Sequence, residues 1–369
     1  MNTKYNTVKE QIRSNILAGM HQPHEKIGSE NELMKEHQVS RHTVRKAIDD
    51  LVNEGWLYKK QGAGTFCAER LVRETAPGGR KKNIAVITTY FSDYIFPTII
   101  RGIEKYLSEN GFHMTVFSTN NDIDQERRCL EAVLSQQFDG IIVEPTKSAL
   151  PNPNINYYLN MERLGIPYVM INAYYEELEP LHLMMDDVKG AYLQTKHLLE
   201  AGHENIMGFF KNDDIQGTKR MKGFIKAHRE HRLPVSSENI VTYTTEEKEI
   251  LPMQALKERL RSGSQLPTGI VCYNDQLAVR LLDVIRERKI RVPQMLSLVG
   301  YDDSNLATAS EVKLTTIRHP QEQLGEDSAR ILQQLIEGQQ MEVESKLYDP
   351  ELIIRTSTAS KRPQTAETT

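Results

Sequence analysis

The sequence predicts an α/β protein in two unlike parts: a three-helix head with a β-hairpin over residues 1–70, and a body of two doubly wound lobes over residues 83–358. Three observations predict it. Apolar residues recur at helical spacing up to Leu51, then alternate along a short hairpin marked by glycines. From Asn83 onward, short apolar runs alternate with helical stretches, the pattern of parallel strands covered on both faces. Charge divides at the same place: 15 Lys and Arg stand against 10 Asp and Glu up to residue 82, and 31 against 40 beyond it, within a net charge of −4. A positive head on a negative body suggests that only the head meets a polyanion.

With 369 residues, 39% hydrophobic and 26% charged, the chain has the apolar content for more than one core and is not disordered over most of its length. No apolar run approaches the roughly 18 residues a membrane span needs, so no membrane partner is expected. Met1-Asn2-Thr3-Lys4-Tyr5 leads into polar residues and lacks the apolar stretch of a signal peptide. Cys67, Cys129 and Cys272 lie too far apart for a zinc knuckle or a disulfide framework, which fits a reducing cytoplasm.

In the head, Tyr5, Val8, Ile12 and Ile16 share a helical face and Gly19 stops it. Ser29 and Glu32 form the outline of a capping box for a second helix that ends near Val39. Ser40 caps a third, in which Val44, Ala47, Ile48 and Leu51 fall in one apolar sector while His42, Arg45, Lys46 and Asp49 point away. Two short helices joined by a tight turn outline a helix-turn-helix, and the cationic outer face suits a recognition helix as well as an ordinary surface helix. Trp56–Lys60 and Thr65–Cys67 alternate as strands around Gln61-Gly62-Ala63-Gly64, a wing whose Lys59, Lys60 and Gln61 can reach phosphates or the minor groove.

Lys26-Ile27-Gly28-Ser29-Glu30-Asn31-Glu32-Leu33, Val39-Ser40-Arg41-His42-Thr43-Val44-Arg45-Lys46-Ala47-Ile48, Glu54-Gly55 and Gln61-Gly62-Ala63-Gly64-Thr65-Phe66 closely resemble the winged helix-turn-helix of the GntR family of bacterial regulators. The resemblance implies double-stranded operator DNA as partner, with Arg41, Thr43, Arg45, Gln61 and Gly62 at the contact. Lys4, Glu30, His42, Lys46, Lys59 and Lys60 complete the candidate DNA-binding set.

After the basic linker 71–82, ending Pro77-Gly78-Gly79-Arg80-Lys81-Lys82, strands are predicted at 84–87, 114–117, 140–143 and 168–171, with helices near 97–109, 123–136 and 156–164. A second half continues with strands at 183–185, 206–210, 240–243, 270–273 and 296–299, and helices near 188–201, 217–231, 250–262, 276–289 and 321–337. This exceeds one comfortable core. Two lobes are therefore expected, with the ligand at the carboxyl ends of the strands and a polar tail over 359–369.

Asp186-Asp187-Val188-Lys189-Gly190, Ala201-Gly202-His203, Arg220-Met221-Lys222-Gly223-Phe224, Cys272-Tyr273-Asn274-Asp275, Ser297-Leu298-Val299-Gly300-Tyr301-Asp302-Asp303 and Leu314-Thr315-Thr316-Ile317-Arg318 resemble the LacI/GalR effector domain. The likeness spans about residues 83–358. It implies a fold like that of periplasmic sugar-binding proteins, a homodimer and a small sugar effector. LacI/GalR proteins carry their own helix-turn-helix and a hinge helix, and here the GntR-type head replaces both. That combination is similar to bacterial regulators of pentose use, which makes L-arabinose the expected sugar and release from a palindromic operator the expected response.

Asn172, Arg220, Asn274, Asp302 and His319 match effector positions of that family, and Glu144 ends a predicted strand. Carboxylates accept hydroxyl hydrogens, Arg donates as a fork and Asn does both, a chemistry suited to a polyol. Tyr90, Phe91 and Tyr94 follow the first strand and offer stacking faces for a sugar. Arg220, Asn274 and Asp302 are expected to approach from opposite sides of the cleft. With Arg220 the one fixed cation among these positions, a neutral sugar is favoured over a sugar phosphate. Asn274-Asp275 also reads as a helix cap and Asp302-Asp303 as a turn.

No G-x-S-x-G elbow, P-loop or H-E-x-x-H is present, and His21 with His24 is too few ligands for a metal. No catalytic residue, cofactor or metal is expected. The competing readings are a sugar-metabolising enzyme with an accessory nucleic-acid domain, an activator, and a regulator answering a different small effector.

Overall fold

The computed structural model describes residues 4–69, 82–136, 138–261, 266–339 and 343–361. Of the predicted linker only Lys82, and of the predicted tail only residues 359–361, fall among them. In the head, α1 (Lys4–Leu17), α2 (Glu30–His37) and α3 (Arg41–Asn53) precede a hairpin of β1 (Leu57–Lys60) and β2 (Gly64–Cys67). The capping box forms: Ser29 Oγ accepts from Glu32 N–H while the Glu32 carboxylate accepts from Ser29 N–H. Gln38 in the left-handed conformation stops α2 just short of Val39. Ser40 caps α3, and Val44, Ala47, Ile48 and Leu51 are buried with Val8, Ile12 and Ile16 of α1. Each large aliphatic side chain buried in this way contributes about 1.5–3 kcal/mol.

Beyond the linker, β3 (Asn83–Thr88), α4 (Phe96–Glu109), β4 (His113–Ser118), α5 (Ile123–Ser135), β5 (Gly140–Val143), α6 (Ile155–Arg163), β6 (Tyr168–Ile171) and β7 (His182–Met185) build the first lobe. The second consists of α7 (Asp187–Glu200), β8 (Ile206–Lys211), α8 (Ile215–Glu230), β9 (Ile240–Tyr243), α9 (Leu251–Arg259), β10 (Gly269–Val271), α10 (Asp275–Glu287) and β11 (Ser297–Val299). There follow α11 (Asn305–Ala309), β12 (Thr316–Arg318), α12 (Gln321–Ile336), β13 (Lys346–Tyr348) and β14 (Glu351–Ile353).

Both sheets are parallel, in the orders β13-β7-β6-β5-β3-β4 and β11-β10-β8-β9. Alternate residues of β3 serve opposite faces: Ile84 and Val86 join the core under α4 and α12, Ala85 and Ile87 the core under α5 and α6. Full burial on both sides is why the strands lack a polar alternation. The periodicity does not predict β12, β13, β14 or α11, because three to five residues carry too little pattern. They matter: β13 returns the chain to the edge of the first sheet, and β12 with β14 forms an antiparallel ribbon between the lobes. Packing continues past residue 358, since Lys361 N–H donates to Ala201 O and His203 bonds Ala359 O.

Candidate functional site

The cleft between the lobes is enclosed by strand ends and the loops that follow them. Glu144 follows β5, Asn172 follows β6, Arg220 sits in the second turn of α8, Asn274 precedes α10, and Asp302 follows β11. All five line the cleft, as do Tyr90 and His319. Asn172 adopts φ +63° and Asp302 φ +94°, left-handed conformations that Asn and Asp tolerate better than most residues. The turn role and the cleft role of Asp302 therefore coincide.

Arg220 is the best-anchored group. Its Nε donates to Asp187 Oδ1 at 2.8 Å, Nη1 to Tyr273 O at 2.6 Å, and Nη2 to Asp302 Oδ1 at 3.5 Å. The guanidinium lies 3.5 Å from the centre of the Tyr301 ring. That ring is seated by Gly190, where a Cβ would stand 2.2 Å from the Tyr301 hydroxyl. Burial opposes the charge, yet Asp187 and Asp302 hold the Arg220 pKa well above its ordinary value. The expectation that Arg220, Asn274 and Asp302 face one another across the cleft is corrected here, since Arg220 and Asp302 touch, and Tyr273, the neighbour of Asn274, accepts from the same guanidinium.

The groups opposite come from the first lobe. Glu144 accepts from the Thr89 N–H at 3.0 Å, from the Thr89 hydroxyl, and from Asn172 Nδ2 at 2.9 Å, and burial pushes its carboxyl pKa up. With Nδ2 so used, Asn172 turns Oδ1 to His319 Nε2 at 3.1 Å. An amide oxygen can only accept, so His319 carries its proton on Nε2. Burial lowers the His319 pKa to about 4, leaving a neutral ring whose bare Nδ1 is buried with no hydrogen-bond partner among the described residues. Such an acceptor is completed by a hydroxyl.

The helix-cap reading of Asn274 holds, and two other sequence expectations change. Asn274 Oδ1 accepts from Leu277 N–H and so caps α10, leaving its Nδ2 for the cleft. Phe91 is 57% exposed and does not line the cleft, whereas Tyr94 is tied through its hydroxyl to Asp302 Oδ2 at 2.6 Å. Arg220 is not the one cation: Lys211, Lys248 and Arg280 line the cleft too. Each is already engaged. Lys211 pairs with Asp214 at 2.6 Å, Arg280 with Glu249, and Lys248 lies over the Tyr90 ring with its ammonium donating to the Tyr90 hydroxyl at 3.0 Å. Lys211, Arg220 and Arg280 are thus each paired with a carboxylate, while Lys248 is held by a phenol. Asp187, Lys211 and Asp214 escaped sequence reasoning because their roles depend on loops from distant segments.

On the head, Arg41, His42, Arg45 and Lys46 are exposed on the outer face of α3, and Thr43 stands half-buried at its start, its hydroxyl 2.9 Å from Ser40 Oγ. Glu30 bonds Arg45 and lies 3.7 Å from Arg41, Lys46 stands over the Tyr5 ring, and Lys59 pairs with Asp49. Lys60, Gln61 and Gly62 are exposed at the wing tip and Lys4 at the start of α1. The outer face of α3 and the wing are thus presented together, on one apolar core. Among the described residues no helix is long and apolar enough to cross a membrane, and no cluster of His, Cys, Asp and Glu is arranged to hold a metal.

Residues 4–67 match the model of bacterial regulatory proteins of the gntR family, and residues 195–358 that of a periplasmic binding protein-like domain. The chain is 63% identical to an arabinose metabolism transcriptional repressor of Halalkalibacterium halodurans, with 99% of both chains covered. It is 48% identical to a protein of the same description from Geobacillus stearothermophilus, over 96% of this chain and 97% of that one. Among solved structures, a LacI family transcriptional regulator from Enterococcus faecium with bound ribose superposes with a TM-score of 0.65 at 27% identity, covering 76% of this chain and 100% of the other.

Proposed function

The chain belongs to the arabinose metabolism transcriptional repressors, which join a GntR-type head to a LacI-type body, and we propose that it binds a two-fold operator as a homodimer and is released from it by L-arabinose. It is a transcription regulator, not an enzyme. The observation that carries the sugar reading is the cleft itself. Glu144, Asp302 and the bare Nδ1 of His319 are acceptors, Arg220 and Asn274 Nδ2 are donors, and the tyrosine rings supply apolar faces. A polyol satisfies acceptors and donors together, whereas a phosphate would compete with the carboxylates that already hold Lys211, Arg220 and Arg280. The ribose bound to the Enterococcus faecium relative supports a pentose. The proposed contacts are Tyr90, Glu144, Asn172, Arg220, Asn274, Asp302 and His319.

For DNA, an exposed recognition helix and wing on each head suit one half-site each, and a two-fold protein matches a palindrome. Fluorescence titration of a labelled operator with and without L-arabinose, paired with calorimetry of the sugar alone, tests both halves. Consumption of the sugar, followed by chromatography, would instead support an enzyme. Tightening of operator binding by sugar would make the protein a sugar-dependent binder.

A further inference from the structure

The head is not separate from the body. Ser14 of α1 donates its hydroxyl to Glu131 of α5 at 2.7 Å and lies 2.7 Å from the Tyr157 hydroxyl of α6. Asn160 of α6 donates to the carbonyl of Leu17 at 2.6 Å, and Arg163 donates to Gln22 at 2.8 Å. Gly19 passes so close that a Cβ there would lie 3.2 Å from Asn160 Cγ. The apolar cluster is continuous across this seam, from Ile12 and Ile16 to Tyr157 and Met161. The outer face of α3 stays exposed, so docking cannot act by covering the recognition residues.

The two helices that hold the head are themselves clamped by one buried carboxylate. Glu126 of α5 accepts from Tyr158 of α6 at 2.9 Å, from Asn152 and Asn154 just before α6 at 2.8 Å each, and from Tyr175 at 2.6 Å. Tyr175 also accepts the Thr146 N–H at 2.8 Å. Thr146 belongs to the loop that starts at Glu144 in the cleft and bridges to the second lobe. In that loop Lys147 N–H donates to Asn121, whose Nδ2 reaches Thr245 across the cleft at 2.6 Å, and Ala149 N–H donates to Asp213 O. Hydrogen bonds therefore link the cleft-side loop through Tyr175 to Glu126, and helices α5 and α6, which Glu126 ties together, carry the link on to the head.

We propose that this seam is the switch by which effector closure controls the head: lobes drawn together hold α5 and α6 in the position that docks α1, and the docked heads no longer match the operator half-sites. The proposal rests on the effector reading above and supplies the route that a missing hinge helix leaves open. Both halves of the linkage coexist in one conformation, the interlobe bridges with the intact seam. A ligand can favour docking only by the difference in its affinity for open and closed lobes.

Trp56, the one tryptophan of the chain, lies buried in the head and reports its tumbling directly. Time-resolved anisotropy of Trp56 should show a longer rotational correlation time when L-arabinose is added, as the head joins the body. Operator affinity should fall by about fivefold or more with sugar, the low end of allosteric couplings. Tyr175→Phe removes the linking hydroxyl outside the cleft lining, so it should bind L-arabinose within about twofold of wild type while both responses shrink toward none. Ser14→Ala, which leaves the body core intact, should loosen docking and reduce the same coupling. Sugar binding seen by calorimetry with no lengthening in wild type, or wild-type coupling in both variants, overturns the proposal alone. Absence of sugar binding overturns the effector reading, and this proposal with it.

Discussion

Arg45 donates its Nε to both oxygens of Glu30, at 2.9 and 3.0 Å, so the recognition helix carries its central arginine against a carboxylate from the helix before it. Both groups are solvent-accessible, and a surface pair of this kind orients more than it stabilises. Arg45→Ala is expected to weaken operator binding about 5- to 150-fold, the discrimination of one bidentate base contact. A gel shift showing wild-type affinity would remove Arg45 from the interface.

The wing lysines are expected to behave differently. Lys60 is exposed and makes no ion pair among the described residues, while Lys59 is held by Asp49 of α3. Lys60→Ala should weaken all DNA sequences alike and reduce the slope of log affinity against log salt by about 1. Lys59→Ala should reduce it less, because Asp49 already offsets that charge. Equal slopes for the two variants would contradict this ranking.

Arg220→Ala tests the cleft, with a cost that only the structure reveals. It leaves Asp187 and Asp302 buried without their cation, and breaking a buried pair of this kind costs about 3–5 kcal/mol. Thermal unfolding should therefore shift down markedly while calorimetry shows L-arabinose binding lost. Asn172→Ala is the milder companion, expected to weaken sugar binding by releasing Glu144 and His319 together. Sugar affinity unchanged in both variants would place the effector elsewhere.

His319 gives a pH dependence with a definite sign. Its folded pKa of about 4 lies below the ordinary histidine value, so the unfolded chain binds the proton first as pH falls. The stability it contributes is present above about pH 6.5 and is lost as pH falls through about 4, by roughly 3 kcal/mol at most. Over pH 5.5–8 the ring stays neutral, so His319 should add no pH dependence to sugar binding. Denaturant titrations of wild type and His319→Gln from pH 4 to 7 should converge toward acid. Parallel curves would mean that the imidazole titrates normally.

Much of the head was legible because its signals are local. Ser29 with Glu32, Ser40 before Thr43, and Gly62 at φ +74° in the wing each act within a few residues. The cleft was legible only as residue types at strand ends. That Phe91 points away, and that Arg280 arrives already paired with Glu249, are consequences of how separate segments meet.

The sequence by itself determined the two-part architecture, the exposed cationic face of α3 and the parallel lobes, because hydrophobic period and cap chemistry are written in neighbouring residues. Tertiary structure alone decided which charges are neutralised, which tautomer His319 holds, and that Ser14 of the head meets Glu131 of the body 117 residues away. Those outcomes depend on burial and on distances between segments far apart in the chain, and a buried charge or proton is set by whatever group packing brings within hydrogen-bond reach.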